Sequence, residues 1–310
     1  MGNVRPPPPL TMLATPTLRF DSVCVLESIE DASTLRRTGK WLVENVLTPV
    51  APQHGIQVFF AAPVDRASFF QSIERIRDVV VGRGHGPIIH VEAHGDKHGL
   101  ILASRETVEW SELAEALTAI NHAVGFNLLL VLAMCRGYYF IQTVVPTRPS
   151  PVWALVGPAE NVWDYDLRQA MAAFYRELLT SLDGRAAVRA LNEHKPPANW
   201  EYRFEPADFI FCRVFKTYLE TRCTPDQLQD RENDIVAEIM RGTGYDLVAA
   251  MAARRGARRM LQDHERLFDH LKREFFMFSD LPRNADRFTV KFSDCGGASN
   301  PRLGLAGDRE

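Results

Sequence analysis

The chain has 310 residues, 46% of them hydrophobic and 24% charged, with a formal net charge of -3. Such a composition is ordinary for a soluble globular protein, and the weak net charge gives no strong field that would point to a nucleic-acid or membrane partner. No apolar run approaches the ~20 residues that a bilayer span requires.

Four consecutive prolines at 6 to 9 fall in a stretch without the charged-then-apolar layout of a secretory signal, so residues 1–18 are expected to form a disordered leader. Gly2 does not open a myristoylation site, because position 6 is Pro. Ser22 to Leu26 reads as a first strand and about Ser33 to Val50 as a helix, after which Gly55 resets the chain. Ile56 to Phe60 is a second strand. Asp65 is placed to cap a helix whose Phe69, Ile73, Ile76 and Val80 form one apolar stripe, ended by the glycine-rich Gly82 to Gly86.

Pro87 to Ala93 then runs apolar into His94-Gly95, and Gly99 to Ala103 with Thr107 to Trp110 resembles a small hairpin. Ser111 is expected to cap a helix striped by Leu113, Leu117, Ile120 and Val124. A second apolar run, Leu128 to Met134, delivers Cys135-Arg136-Gly137, and Tyr138 to Ile141 opens a short helix. Val152 to Gly157 is a further strand, followed by a helix from Asp164 or Asp166 and another from Asp183 to His194. Trp200 to Phe204 reads as an edge strand. Phe209 to Thr221 and Ile235 to Phe278 read as mainly helical, and the basic cluster Arg254 to Arg259 as a solvated helix face.

Strands alternating with helices predict an α/β fold, a mostly parallel sheet flanked by helices on both faces, with a largely helical C-terminal extension. The expected organisation is a leader over 1–18, a core over 19–195, a helical part over 196–280 packed on that core, and a loose tail over 281–310. Cysteines stand at 24, 135, 212, 223 and 295. An odd number without a C-x-x-C pair argues for a reducing cytosol and against a disulfide or zinc framework.

In open parallel sheets, chemistry gathers just beyond the C-terminal strand ends. Two adjacent strands ending in His94 and Cys135 would set an imidazole beside a thiol there. Gly95 admits close approach to the main chain, and the N–H groups of Gly95 and Cys135 are the natural donors for a developing oxyanion. A lone Cys at the end of an apolar run is more often a buried hydrophobe. The paired strand ends and their glycines favour catalysis here. Glu92 shares a strand face with His94 but lies too far along the strand for a side-chain clamp, which assigns it a structural role.

These motifs resemble the caspase-like cysteine peptidases, the clan of caspases, separases and bacterial CHAT proteases. Caspases carry a His-Gly at one strand end and Gln-Ala-Cys-Arg-Gly at the next. The counterparts are His94-Gly95 and Ala133-Met134-Cys135-Arg136-Gly137, with the leading Gln absent. The likeness to CHAT proteases covers about Ser22 to Asn192, through the hairpin after His94 and through Gly157-Pro158, Asp166 and Ala172 to Tyr175. It implies Cys135 as nucleophile and His94 as acid/base, with no cofactor and no metal. It also implies a protein substrate, such as a gasdermin-like effector encoded nearby in bacterial defence, and a cytoplasmic setting. Ala133 would line the primary specificity pocket and favour an apolar residue, and Glu160, Asp164 or Asp166 would favour Arg if they reached that pocket. Two rivals stand beside this. Gly95-Asp96-Lys97-His98-Gly99 fits one metallophosphoesterase element, in a crowd of histidines at 85, 90, 94 and 98, but its partner blocks are missing. A non-catalytic pseudoprotease scaffold is the other.

Overall fold

In the computed structural model, residues 20–30, 37–81, 86–162, 164–194, 201–243 and 247–295 are described. The leader, the start of the first helix, the glycine-rich stretch with His85, and residues 296–310 lie outside that set. The principal sheet runs in the order β2-β1-β3-β6-β7-β8. Its strands are β1 (Phe20–Ser28), β2 (Gln57–Ala61), β3 (Gly86–Gly95), β6 (Leu129–Leu132), β7 (Ala154–Pro158) and β8 (Tyr202–Pro206). All neighbours pair in parallel except β8, which returns antiparallel along β7 as an edge. The short β4 (Gly99–Ile101) and β5 (Thr107–Glu109) form the expected hairpin, and β4 also pairs with the end of β3.

Central strands of this sheet are apolar because both faces are covered. Ile88, Ile89, Val91 and every residue of β6 are fully buried, and each such side chain contributes about 1.5–3 kcal/mol. His90 and Glu92 interrupt β3 yet are as buried as their neighbours. A one-residue slip of β3 would turn both to the other face and strip them of their partners, so this pair fixes the register as firmly as the apolar fit does.

The helices follow local signals. α1 (Thr38–Leu42) continues through a π-helical turn, Val43–Leu47, into α2 (Thr48–Val50), and Gly55 ends the following 3-10 turn with φ of 71°. α3 (Arg66–Val80) starts at an Asp65–Ser68 capping box and buries the four expected stripe residues. α4 (Trp110–Ala123) begins before the expected cap. Glu109 and Glu112, rather than Ser111, form its capping box, because their carboxylates reach each other's backbone N–H groups. After β7 come α5 (Asp164–Ser181) and α6 (Gly184–Glu193), the latter capped by Asp183. The steps from β1 to β2 and from β2 to β3 run in opposite directions across the sheet. Right-handed crossovers therefore put α1 on one face and α3 on the other.

Beyond β8 lie α7 (Ala207–Arg222), α8 (Pro225–Thr243), α9 (Leu247–Gln262), α10 (His264–Phe275) and α11 (Asn284–Arg287). Phe211, Phe215, Phe268, Phe275 and Phe276 form one aromatic cluster, and Phe276 and Phe288 carry it onto Phe126 beside β6. The basic cluster on α9 is a solvated face, with Arg254, Arg255, Arg258 and Arg259 all exposed, and two of them, Arg254 and Arg258, also bind the buried Glu232 of α8.

Two expectations fail here. Residues 281–295 lack periodicity yet are ordered: Phe288 and Val290 are buried, and Arg287 donates to the carbonyls of Gly125 and Phe126. Cys212 and Cys295 also form a disulfide, where the cysteine count argued against one. Their approach is dictated by the aromatic cluster, in which Phe292 packs on Phe215 and Phe268. Closing a loop across a sequence separation of 83 stabilises by about 4.5 kcal/mol in the chain-entropy account. Reduction under native conditions followed by urea titration should therefore move the unfolding midpoint markedly lower. An unchanged midpoint would show that the aromatic cluster alone holds this region.

Candidate active site

β3 and β6 run side by side up to Val91 opposite Leu132, and the Ala133 N–H extends the ladder by donating to the Val91 carbonyl at 3.0 Å. The following residues stay close. A methyl group placed on Gly95 would lie 2.3 Å from the Cys135 carbonyl oxygen, a distance that only a residue without Cβ permits. The backbones of Gly95 and Cys135 thus touch. His94 pairs with Ile101 of β4 and Gly95 with Leu100, which holds the histidine's main chain against the hairpin while its side chain is exposed.

On the β6 side the chain turns sharply. Arg136 adopts a left-handed φ of 56°, and Gly137 packs so tightly on Leu132 that a Cβ would come within 2.6 Å of that side chain. A 3-10 segment, Gly137–Thr143, follows. Cys135 is a free, half-buried thiol. Its Sγ accepts the Val162 N–H at 3.4 Å and lies 3.7 Å from the Val162 carbonyl, to which the S–H donates. Arg136 N–H donates to the Glu160 carbonyl at 3.0 Å. Among the described residues no hydrogen bond joins His94 to Cys135.

Directly beneath lies a buried polar network that sequence reasoning missed. One Glu92 oxygen meets His90 Nε2 at 2.9 Å, and the other accepts the Thr38 hydroxyl at the start of α1. His90 Nδ1 faces the Tyr175 hydroxyl of α5 at 3.1 Å. Both Glu92 oxygens are occupied by these partners, so it has a structural position and is no clamp for His94. Glu27, opposite Glu92 in register, accepts from Arg37 Nε and from the N–H groups of Gly39 and Lys40. Burial, and then the Glu92 charge, hold its carboxyl above the ordinary range. The Tyr202 phenol is pushed up by burial and then by the Glu92 and Cys135 charges. The available signal was an alternation of His90, Glu92 and His94 inside an otherwise apolar strand.

The expected specificity residues separate. Ala133 is 2% exposed, so its methyl is not presented to solvent. Glu160 is exposed, and its backbone serves the Arg136 bridge. Asp164 and Asp166 begin α5, and their side chains lie outside the described residues. A basic pair missed from the sequence stands nearby. Tyr138 donates to Glu205 at 2.9 Å, Arg213 binds the same oxygen, and the guanidinium groups of Arg203 and Arg213 lie over the Tyr138 ring. Burial, then the Glu205 charge, raise the Tyr138 phenol above its ordinary range.

The element from Gly95 to Gly99 is a polar turn: Asp96 Oδ1 accepts the N–H groups of His98 and Gly99. His90 is committed to the core network, and among the described residues no three His, Cys, Asp or Glu side chains form a group able to hold a metal. No helix among the described residues is long and apolar enough to cross a membrane. No protein-family model matches the chain, and no curated protein matches it in sequence.

Proposed function

We propose that the chain is a caspase-like cysteine endopeptidase, with Cys135 as nucleophile and His94 as acid/base. The observation that carries this reading is the contact between Gly95 and the Cys135 carbonyl, which brings a His-Gly strand end against a Cys-Arg-Gly strand end. In the reaction, Cys135 gives its proton to the His94 imidazole and the thiolate attacks the scissile carbonyl. The N–H groups of Gly95 and Cys135 face the oxyanion, His94 protonates the departing amine, and water activated by His94 then hydrolyses the thioester. The substrate class is protein, and the family resemblance points to a gasdermin-like effector. The compartment proposed is the cytoplasm. The Cys212–Cys295 bond is the observation against it, because disulfides persist in oxidising surroundings.

Cys135→Ala and His94→Ala should each lower cleavage of a peptide library by at least ~1000-fold with unchanged circular dichroism, and chelators should leave cleavage intact. Activity that survives Cys135→Ala but not chelation overturns the assignment. A scaffold without catalysis is the second reading, favoured by the lack of a His94–Cys135 hydrogen bond. In the motif of the metal-dependent alternative, Asp96 Oδ1 accepts two backbone N–H groups of a turn.

A further inference from the structure

The thiol's only described hydrogen-bond partners belong to one residue, Val162, whose N–H and C=O both face it. That residue ends a short loop leaving β7, and the loop is tied down at a second point where the Glu160 carbonyl receives the Arg136 N–H. Ala159 and Val162 also rest their side chains on the core. A substrate carbonyl must approach the same sulfur that this backbone now caps.

We propose that Ala159–Val162 is an autoinhibitory latch on the nucleophile, a regulatory device that rests on the peptidase reading. In the latched form the Val162 main chain occupies both hydrogen-bonding positions of the Cys135 sulfur and shields it. Displacing the loop breaks two weak sulfur contacts and one backbone bridge. It lets the S–H proton pass to the His94 imidazole, leaving the thiolate open to an incoming peptide. Release therefore acts on one measurable quantity, the accessibility of the thiol.

The test uses the full-length chain. Iodoacetamide alkylation of Cys135 is followed across pH by peptide-resolved mass spectrometry, with the buried Cys24 as an internal check on global opening. Val162→Pro removes the N–H donor, and Val162→Gly removes the side-chain anchor. Wild type should react slowly even at high pH, where every exposed thiol is ionised. Each variant should react at least ~10-fold faster at that limit, with Cys24 still protected. If Val162→Pro unfolds, shown by Cys24 reacting too, Val162→Gly decides. Variants no faster than wild type at any pH, or a wild-type Cys135 that already reacts like a free thiol, overturn the latch. Fast alkylation in the variants without cleavage of any peptide would retain the latch and remove the peptidase reading. Cleavage abolished by Cys135→Ala but no faster in the variants, with alkylation also unchanged, would do the reverse.

Discussion

Gly95→Ala is expected to remove cleavage almost completely while leaving both His94 and Cys135 in the chain. The added Cβ would fall 2.3 Å from the Cys135 carbonyl oxygen and 3.1 Å from the Met134 Cγ. The first neighbour is backbone, so relief requires the ends of β3 and β6 to part. A displacement of about 1 Å between reacting groups can cost ~100-fold in rate, and overpacking a filled site costs about 1–3 kcal/mol of stability. Both losses should appear together: kcat/KM lower by at least ~100-fold and a lower midpoint in thermal unfolding. Gly55→Ala provides the comparison. Gly55 has a φ of 71° and nothing within 4 Å of its would-be Cβ, so alanine there strains one turn far from the strand ends and should lower stability without slowing cleavage. Full activity in Gly95→Ala would mean that the backbone contact has no part in the chemistry.

Local signals made much of this fold legible. Asp65 with the stripe from Phe69 to Val80 specified α3 almost to the residue, because a cap and a helical period are both written in neighbouring positions. The strands leading to His94 and Cys135 were equally plain, since buried parallel strands must be apolar throughout, although the second stops at Leu132, before Cys135. What escaped depends on residues far apart. Cys212 meets Cys295 only because a cluster of phenylalanines folds the C-terminal segment back on α7. Arg203 reaches Tyr138 through the antiparallel return of β8, which places Arg203 opposite Gly157. The cap on the thiol is made by main-chain atoms of Val162, and no side-chain identity encodes a backbone contact. The cap of α4 was misplaced for a different reason: Ser111 and Glu109 can both cap, and the reciprocal partner Glu112 favours the earlier residue.

Glu92→Ala should be the most destabilising single substitution beneath the site. The carboxylate is 1% exposed and accepts from Thr38 while meeting His90, so its removal leaves both partners buried without it and opens a void between β3 and α1. Breaking one member of such a network costs about 3–5 kcal/mol, enough to remove a large share of an ordinary domain's stability. Glu92→Gln keeps the shape and at least one hydrogen bond, so it should cost less, and it isolates the charge. Glu27 is informative there, because burial first and Glu92 second raise its pKa. The folded protein thus holds the Glu27 proton more tightly than the unfolded chain does. The stability this provides is complete below the ordinary value of 4.5 and is lost as pH rises through the raised folded value. In Glu92→Gln the folded pKa of Glu27 drops toward its ordinary value, so the loss of stability as pH rises above 4.5 should shrink. Urea titrations at several pH values read both effects. Identical pH profiles for wild type and Glu92→Gln would show that the two carboxyls are not coupled. A Glu92→Ala cost under about 1 kcal/mol would show that the network does not hold α1 to the sheet.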